Sequence, residues 1–151
     1  MAVIVQAEPF DCGAEMSKFT AGRRDVGAVA SFVGLVRERD GDASIDAMTL
    51  EHYPGMTEKQ LAKIEADARS RWPLQDCLII HRFGRMEPGE PIVMVLTASP
   101  HRAAALDACE FLIDFLKTQA PFWKVEEVGG DERWVDAKAS DDLATERWSN
   151  R

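Results

Sequence analysis

Residues 111–127 read FLIDFLKTQAPFWKVEE. The run is apolar with helical character up to Pro121, and the residue before a proline is pushed out of the helical region, so the helix must end there. Residues 122–128 then continue as a strand. Two lysines stand on either side of the break, Lys117 before it and Lys124 after it, flanking Ala120, Pro121, Phe122 and Trp123. Two readings are open for this pair. A lysine held against a dry wall loses hydration and gains a lowered pKa, which suits acid–base or covalent work. A lysine that lays its stem on apolar surface and keeps its ammonium in water has no chemistry to do.

Working toward the N-terminus, residues 103–116 are broken only by Asp107, Glu110 and Asp114, so this helix is central and largely buried. Ser99 is expected to cap it, with Pro100 at its first position. His101 and Arg102 then fall in the first turn, where unpaired N–H groups and the helix dipole disfavour a cation unless an anion comes too. Ser99, His101 and Arg102 read either as a phosphate or carboxylate site or as a solvated helix start. His101 and Lys117 lie about sixteen residues apart, on the order of 24 Å along a helix. One small substrate cannot touch both, so a shared site needs either a broken helix or a second subunit. The expectation is a homodimer with a shared site.

The other segments alternate between strand and helix. Strands are expected at 2–6, 27–36, 45–53, 77–83 and 92–98. The run 27–36 (GAVASFVGLV) reads as a buried strand, with Gly34 at a bulge or close backbone approach. It ends in Arg37 and a polar, mobile loop through Asp42. One or two helical turns over 11–20 take Asp11 as cap. A helix from Thr57 to Pro73 takes Thr57 and Gln60 as a capping box, with Leu61, Ile64, Ala68 and Trp72 on one stripe and Glu65 at its wet edge. Gly129-Gly130-Asp131 turns into a returning strand at 133–137. Residues 140–151 read as a polar, frayed helical tail. The sum is one α+β domain of two layers spanning residues 1–151.

Composition narrows the classes. The formal net charge is −8, which sets aside a general nucleic-acid binder but leaves room for a local basic pocket. No stretch approaches the length of a membrane span, and MAVIVQAEPF lacks the basic start of a signal peptide. The three cysteines, Cys12, Cys77 and Cys109, form no metal or redox spacing and read as reduced, mostly buried thiols of a cytoplasmic protein. The three histidines show no zinc pattern, and no Gly-rich phosphate loop is present.

GAVASFVGLVR, LEHYPGMTEKQL, ARSRWPL, IIHRFG, SPHRAAALDA, FLKTQAPFWKVE and RWVDA occur in this order. With these motifs, over roughly residues 25–140, the chain resembles the large, catalytic subunit of molybdopterin synthase. The resemblance implies an α/β hammerhead-like fold with an additional antiparallel β subdomain. It implies a homodimer at the centre of a heterotetramer, each end binding a small ubiquitin-like sulfur carrier by its C-terminal Gly-Gly thiocarboxylate. Sulfur then passes to cyclic pyranopterin monophosphate to form the molybdopterin dithiolene, and no cofactor is implied. Lys117 and Lys124 match the two pocket lysines of the family. Arg37, His101 and Arg102 match substrate-contacting positions, and Phe32 a pocket aromatic. Leu35, Val36, Val125 and Glu126 flank these motifs. Lys138 stands where the family usually carries Arg, keeping the charge but losing the bidentate fork. Ile113 replaces an expected Met, a packing change. Two other classes remain open on the residues: a non-catalytic module docking a ubiquitin-like tail, and a Schiff-base lysine enzyme acting on a small carbonyl compound.

Overall fold

A computed structural model of the chain describes residues 2–135 and 139–150, with Ala139, Ser140 and Asn150 described in backbone only. The elements in order are β1 (Ala2–Gln6), α1 (Cys12–Thr20), β2 (Ala28–Leu35), β3 (Arg39–Asp40), β4 (Ala43–Ser44), β5 (Ala47–His52), α2 (Met56–Arg71), β6 (Asp76–Arg82), β7 (Gly84–Met86), β8 (Pro91–Ser99), α3 (Arg102–Thr118), β9 (Phe122–Val128), β10 (Asp131–Val135) and α4 (Ala139–Glu146), then a 3-10 turn, Arg147–Asn150. One four-stranded sheet has the order β1-β6-β8-β2, with only β1 and β6 parallel. A second, wholly antiparallel sheet has the order β10-β9-β5-β7. This is the expected α+β arrangement, with the antiparallel subdomain as its second sheet.

The main core lies where α2 and α3 cover one face of the first sheet, joining Leu61, Ile64 and Ala68 to Ile79, Val95 and Phe111. The short α1 and the Phe10 before it lay Phe10, Met16 and Phe19 on Leu78, Ile80, Met94 and Leu96 of the opposite face. A third cluster, Val36, Met48, Leu50 and Met86, ties the second sheet to the first. Strand β6 feeds β7 through Phe83, and Gly84, at φ 93°, makes the change of sheet in a conformation that L side chains avoid.

Several local expectations are corrected. Strand β2 is an edge strand and not buried: Ala30 packs inward, while Val33 and Leu35 on its other face are 37% and 51% exposed. The close approach at Gly34 does occur. A Cβ there would lie 2.9 Å from Val93 Cγ1, and the pairing register shifts between Gly34 and Leu35. The polar loop after Arg37 contains a small hairpin, β3–β4. Helix α2 starts at Met56, with Gly55 as N-cap, and Glu58 Oε2 accepts from the Gly55 N–H at 2.5 Å. The fully buried Thr57 hydroxyl is used elsewhere: it accepts from the Tyr53 N–H and donates to the Pro121 carbonyl. Helix α3 takes His101 as N-cap because Ser99 is still paired in β8, opposite Ala28. The Ser99 hydroxyl instead donates to the His101 carbonyl.

The C-terminal tail is anchored rather than frayed. Trp148 is 1% exposed, its ring edge-on to Trp72 and Phe111. Arg147 bridges Glu110 and Asp114 on α3.

Glu65 is also buried rather than wet-edged, and its Oε2 has no hydrogen-bond partner. Burial pushes its carboxyl above the ordinary 4.5, with Arg69 only partly offsetting this. A raised acid pKa means that ionisation opposes folding, so stability is lost as pH rises through the ordinary value toward the raised one. Glu65→Gln is expected to melt higher than the wild type at pH 7, with the gap closing as the pH falls toward 4.5. A gap of constant size across that range would refute the assignment.

Candidate functional site

Helix α3 is one unbroken helix of 17 residues. It closes on Gln119, whose N–H reaches the Phe115 carbonyl at 2.8 Å. Pro121 then turns the chain into β9, and the Thr57 hydroxyl pins the Pro121 carbonyl at 3.3 Å. This puts Lys117 on the last helical turn and Lys124 near the start of a strand. Lys117 is exposed and Lys124 half-buried. Side chains alternate along β9, so Phe122, Lys124 and Glu126 share a face and Val125 takes the other.

Both lysines open onto one cavity of about 660 Å³. It lies between the two sheets, at the C-terminal end of α3. Its cations come from three separate elements: Arg37 after β2, Lys117 from α3 and Lys124 from β9. Leu35 and Val36 line it beside Arg37, and Ile113 lines it from α3, so that position shapes the cavity as well as packing. A smaller cavity of about 140 Å³, between α1 and the start of β2, groups no such cations, and its Arg23 is paired with Asp76.

Glu126 also faces the larger cavity and is only 3% exposed. A buried carboxylate needs a charge partner, and Arg133 on β10 supplies it with Nε at 3.2 Å and a terminal nitrogen at 2.9 Å from Oε1. The same Arg133 reaches Asp40 at 3.5 Å, and Asp40 meets Arg37 at 3.5 Å. A chain of alternating charges thus connects the cavity wall to the arginine at its rim.

The structure leaves four candidate residues outside this cavity. Phe32 points to the core face of β2 and packs on the main core. Val125 pairs with Thr49 and Trp134 on the opposite face of the second sheet. His101 and Arg102 are exposed at the far end of α3. The unbroken helix removes one of the two ways in which His101 and Lys117 could serve one site. Lys138 lies outside the described residues.

Two ionisable residues of the cavity wall were not anticipated. Asp141 comes from α4, in the segment that reads as a tail. His81 comes from β6, and the only sequence signal for it is an imidazole inside the apolar run CLIIHRF. His81 stacks on Phe122 with ring centroids 3.8 Å apart, and Phe122, His52 and Phe83 continue the column. Burial lowers its pKa to about 4, and the charges of Lys117 and His52 act in the same direction against its hydrogen bond to the Arg82 carbonyl. The ring is therefore neutral at physiological pH. Burial also pushes all three thiols up, Cys109 to about 11. Among the described residues no group of three or more His, Cys, Asp or Glu side chains is placed to hold a metal ion. No helix of the described residues is long and apolar enough to cross a membrane.

Residues 5–119 match the model of the MoaE protein family. The chain belongs to that family. The family match stops before Lys124, but full-length relatives carry the comparison further. The molybdopterin synthase catalytic subunit of Cereibacter sphaeroides is 53% identical over 148 residues, covering 98% of this chain and 100% of that protein. The molybdopterin biosynthesis MoaE protein of Burkholderia ambifaria superposes with a TM-score of 0.83 at 50% identity, over 99% of each chain. Molybdopterin synthase of Staphylococcus aureus superposes with a TM-score of 0.81 at 31% identity, over 88% of this chain and 96% of that one. In this MoaE-family chain the second sheet and the end of α3 enclose the cavity, so the cations of the family motifs converge although they are distant in sequence.

Proposed function

We propose that this chain is the catalytic subunit of a molybdopterin synthase, working as one catalytic domain in the cytoplasm. It takes sulfur from the C-terminal thiocarboxylate of a small ubiquitin-like carrier and passes it to cyclic pyranopterin monophosphate, forming the dithiolene of molybdopterin. The observation that carries this reading is the convergence of Arg37, Lys117 and Lys124 on one cavity of an otherwise acidic protein. Such a pocket suits a phosphate-bearing substrate and a thiocarboxylate tail, both anionic.

The thiols support a carrier-borne sulfur. A thiolate is the form that relays sulfur, and burial holds Cys77 and Cys109 in the thiol form. Lys117 handles the carrier's carbonyl or the proton transfer, and Lys124 stabilises developing charge. Arg37 holds the phosphate. His101 and Arg102 act on the same substrate from the second subunit of a homodimer, since an unbroken α3 keeps them on the order of 24 Å from Lys117 in one chain. Lys138 contributes a further positive charge.

Reconstitution tests the reaction. Purified chain, thiocarboxylated carrier and pterin precursor are expected to yield dithiolene, and no product with an active carrier preparation would overturn the reading. Mixing tests the shared site. A Lys117→Ala chain combined with an Arg102→Ala chain should recover activity that neither homodimer has, and verified mixed dimers without recovery would sink it.

A further inference from the structure

His81, on the wall of the cavity, has a chemistry that the reaction scheme has not used. His81 Nδ1 lies 2.9 Å from the Arg82 carbonyl oxygen. A carbonyl only accepts, so Nδ1 carries the proton, and in a neutral ring Nε2 is then a bare lone pair. Stacking on Phe122, at an interplanar angle of 15°, fixes the plane in which that lone pair points. Nε2 has no hydrogen-bond partner among the described residues and is not sealed off as a buried orphan. Protonation is suppressed by burial and by Lys117, so the group stays an acceptor in a cavity rich in positive charge.

The other side-chain acceptors of the described wall are the carboxylates of Glu126 and Asp141, and His81 adds a neutral one. Arg37, Lys117 and Lys124 offer donors, which suit phosphate and thiocarboxylate oxygens. The Glu126 carboxylate faces the cavity, but its Oε1 already takes two hydrogen bonds from Arg133. A fused nitrogen heterocycle presents ring N–H groups that need acceptors of their own, and an unpaired donor in a closed site is costly.

We propose that His81 is a further substrate-binding residue, whose Nε2 accepts a hydrogen bond from a ring N–H of the substrate's heterocycle while the cations hold its phosphate. The proposal rests on the synthase reading and deepens it. The cations recognise the anionic end and His81 the heterocyclic end, so it separates the two halves of substrate recognition.

Two substitutions isolate Nε2. In His81→Asn the amide nitrogen replaces Nδ1 and keeps the Arg82 bond, but nothing replaces Nε2. In His81→Gln the longer amide can set its oxygen near the Nε2 position. His81→Asn is expected to raise KM for the pterin phosphate roughly tenfold to a hundredfold, the cost of leaving one buried donor unpaired. His81→Gln recovers most of that loss. Calorimetric affinity for the carrier stays at the wild-type value in both, and the loss of the ring stacked on Phe122 lowers the melting temperature of both alike. An unchanged KM in His81→Asn overturns the proposal. So does a loss that His81→Gln fails to restore, or one that comes with weakened carrier binding, because either marks a structural role.

A second arm uses inhibitors and works on wild-type protein even if the variants fold poorly. A phosphate-free pterin is expected to compete with the substrate, and in His81→Asn its inhibition weakens while inhibition by inorganic phosphate does not. No competition by the phosphate-free pterin in the wild type counts against His81. Failure of the wild type to form dithiolene counts against the synthase reading instead, and direct binding of the two inhibitors still reports on His81.

Discussion

Lys117→Ala is expected to lower the turnover of dithiolene formation about 10²–10³-fold, the usual loss when a positioned acid–base or charge-stabilising group is removed. The fold should survive. Lys117 is an exposed residue on the last turn of α3, and its ammonium there gains about 0.3–1 kcal/mol from the helix dipole. At this chain length that is a shift in melting temperature of only a few degrees, about 2–4 °C per kcal/mol. Lys124→Ala should also be slow, but it sits on β9 between Phe122 and Glu126, so its removal also disturbs the wall. The double variant is expected to be little slower than the worse single one, because residues acting on one transition state do not add. Single-turnover rates with saturating thiocarboxylated carrier decide this. A Lys117→Ala rate within about threefold of wild type would remove Lys117 from the chemistry, since acid–base groups contribute far more than that.

Trp148→Ala is expected to cost about 3–5 kcal/mol of stability, the range for truncating a fully buried aromatic. For a chain of this length that lowers the melting temperature on the order of 10 °C. The ring fills the space between Trp72 and Phe111, and its Nε1–H donates to Asp114 Oδ2 at 2.8 Å. Arg71 donates to the Trp148 carbonyl at 3.0 Å, and its guanidinium lies 4.8 Å from the centre of the Phe111 ring. Trp148→Phe keeps most of the packing and loses the hydrogen bond, so its cost should be smaller, about 1–2 kcal/mol. Thermal melts of the two variants would rank them Ala below Phe below wild type. A Trp148→Ala protein that melts within 2–3 °C of wild type, roughly 1 kcal/mol, would show that the turn does not belong to the core. Asp141 lines the cavity from the helix that this tryptophan anchors, so Trp148→Ala should also impair substrate binding.

Much of the architecture was legible because it rests on local chemistry. The β-branched run at 2–6, the Asp11 cap, the apolar strand through Met94 and the break at Pro121 each depend on neighbours in sequence. The hairpin through Gly129-Gly130 was legible for the same reason, since positive φ at both glycines is what the turn requires. The errors fell where tertiary context overrides a local pattern. An apolar run such as 27–36 looks the same whether its strand is central or at an edge, and only the strand order places β2 at the edge. Glu65 and Trp148 sit in polar surroundings in the sequence, and burial reaches them only through other elements.

The candidate site divides in the same way. The sequence by itself determined that Lys117 and Lys124 flank a helix break, that Arg37 closes a strand, and that the two ends of α3 are too far apart for one small ligand. Residue type, the proline constraint and the helical rise are enough for that. Only the tertiary structure decided that Arg37 joins the two lysines at one cavity, that Arg133 offsets Glu126, and that a neutral His81 shares the wall. The second sheet folds back across the end of α3, and such pairings between distant strands leave no periodic trace in the chain.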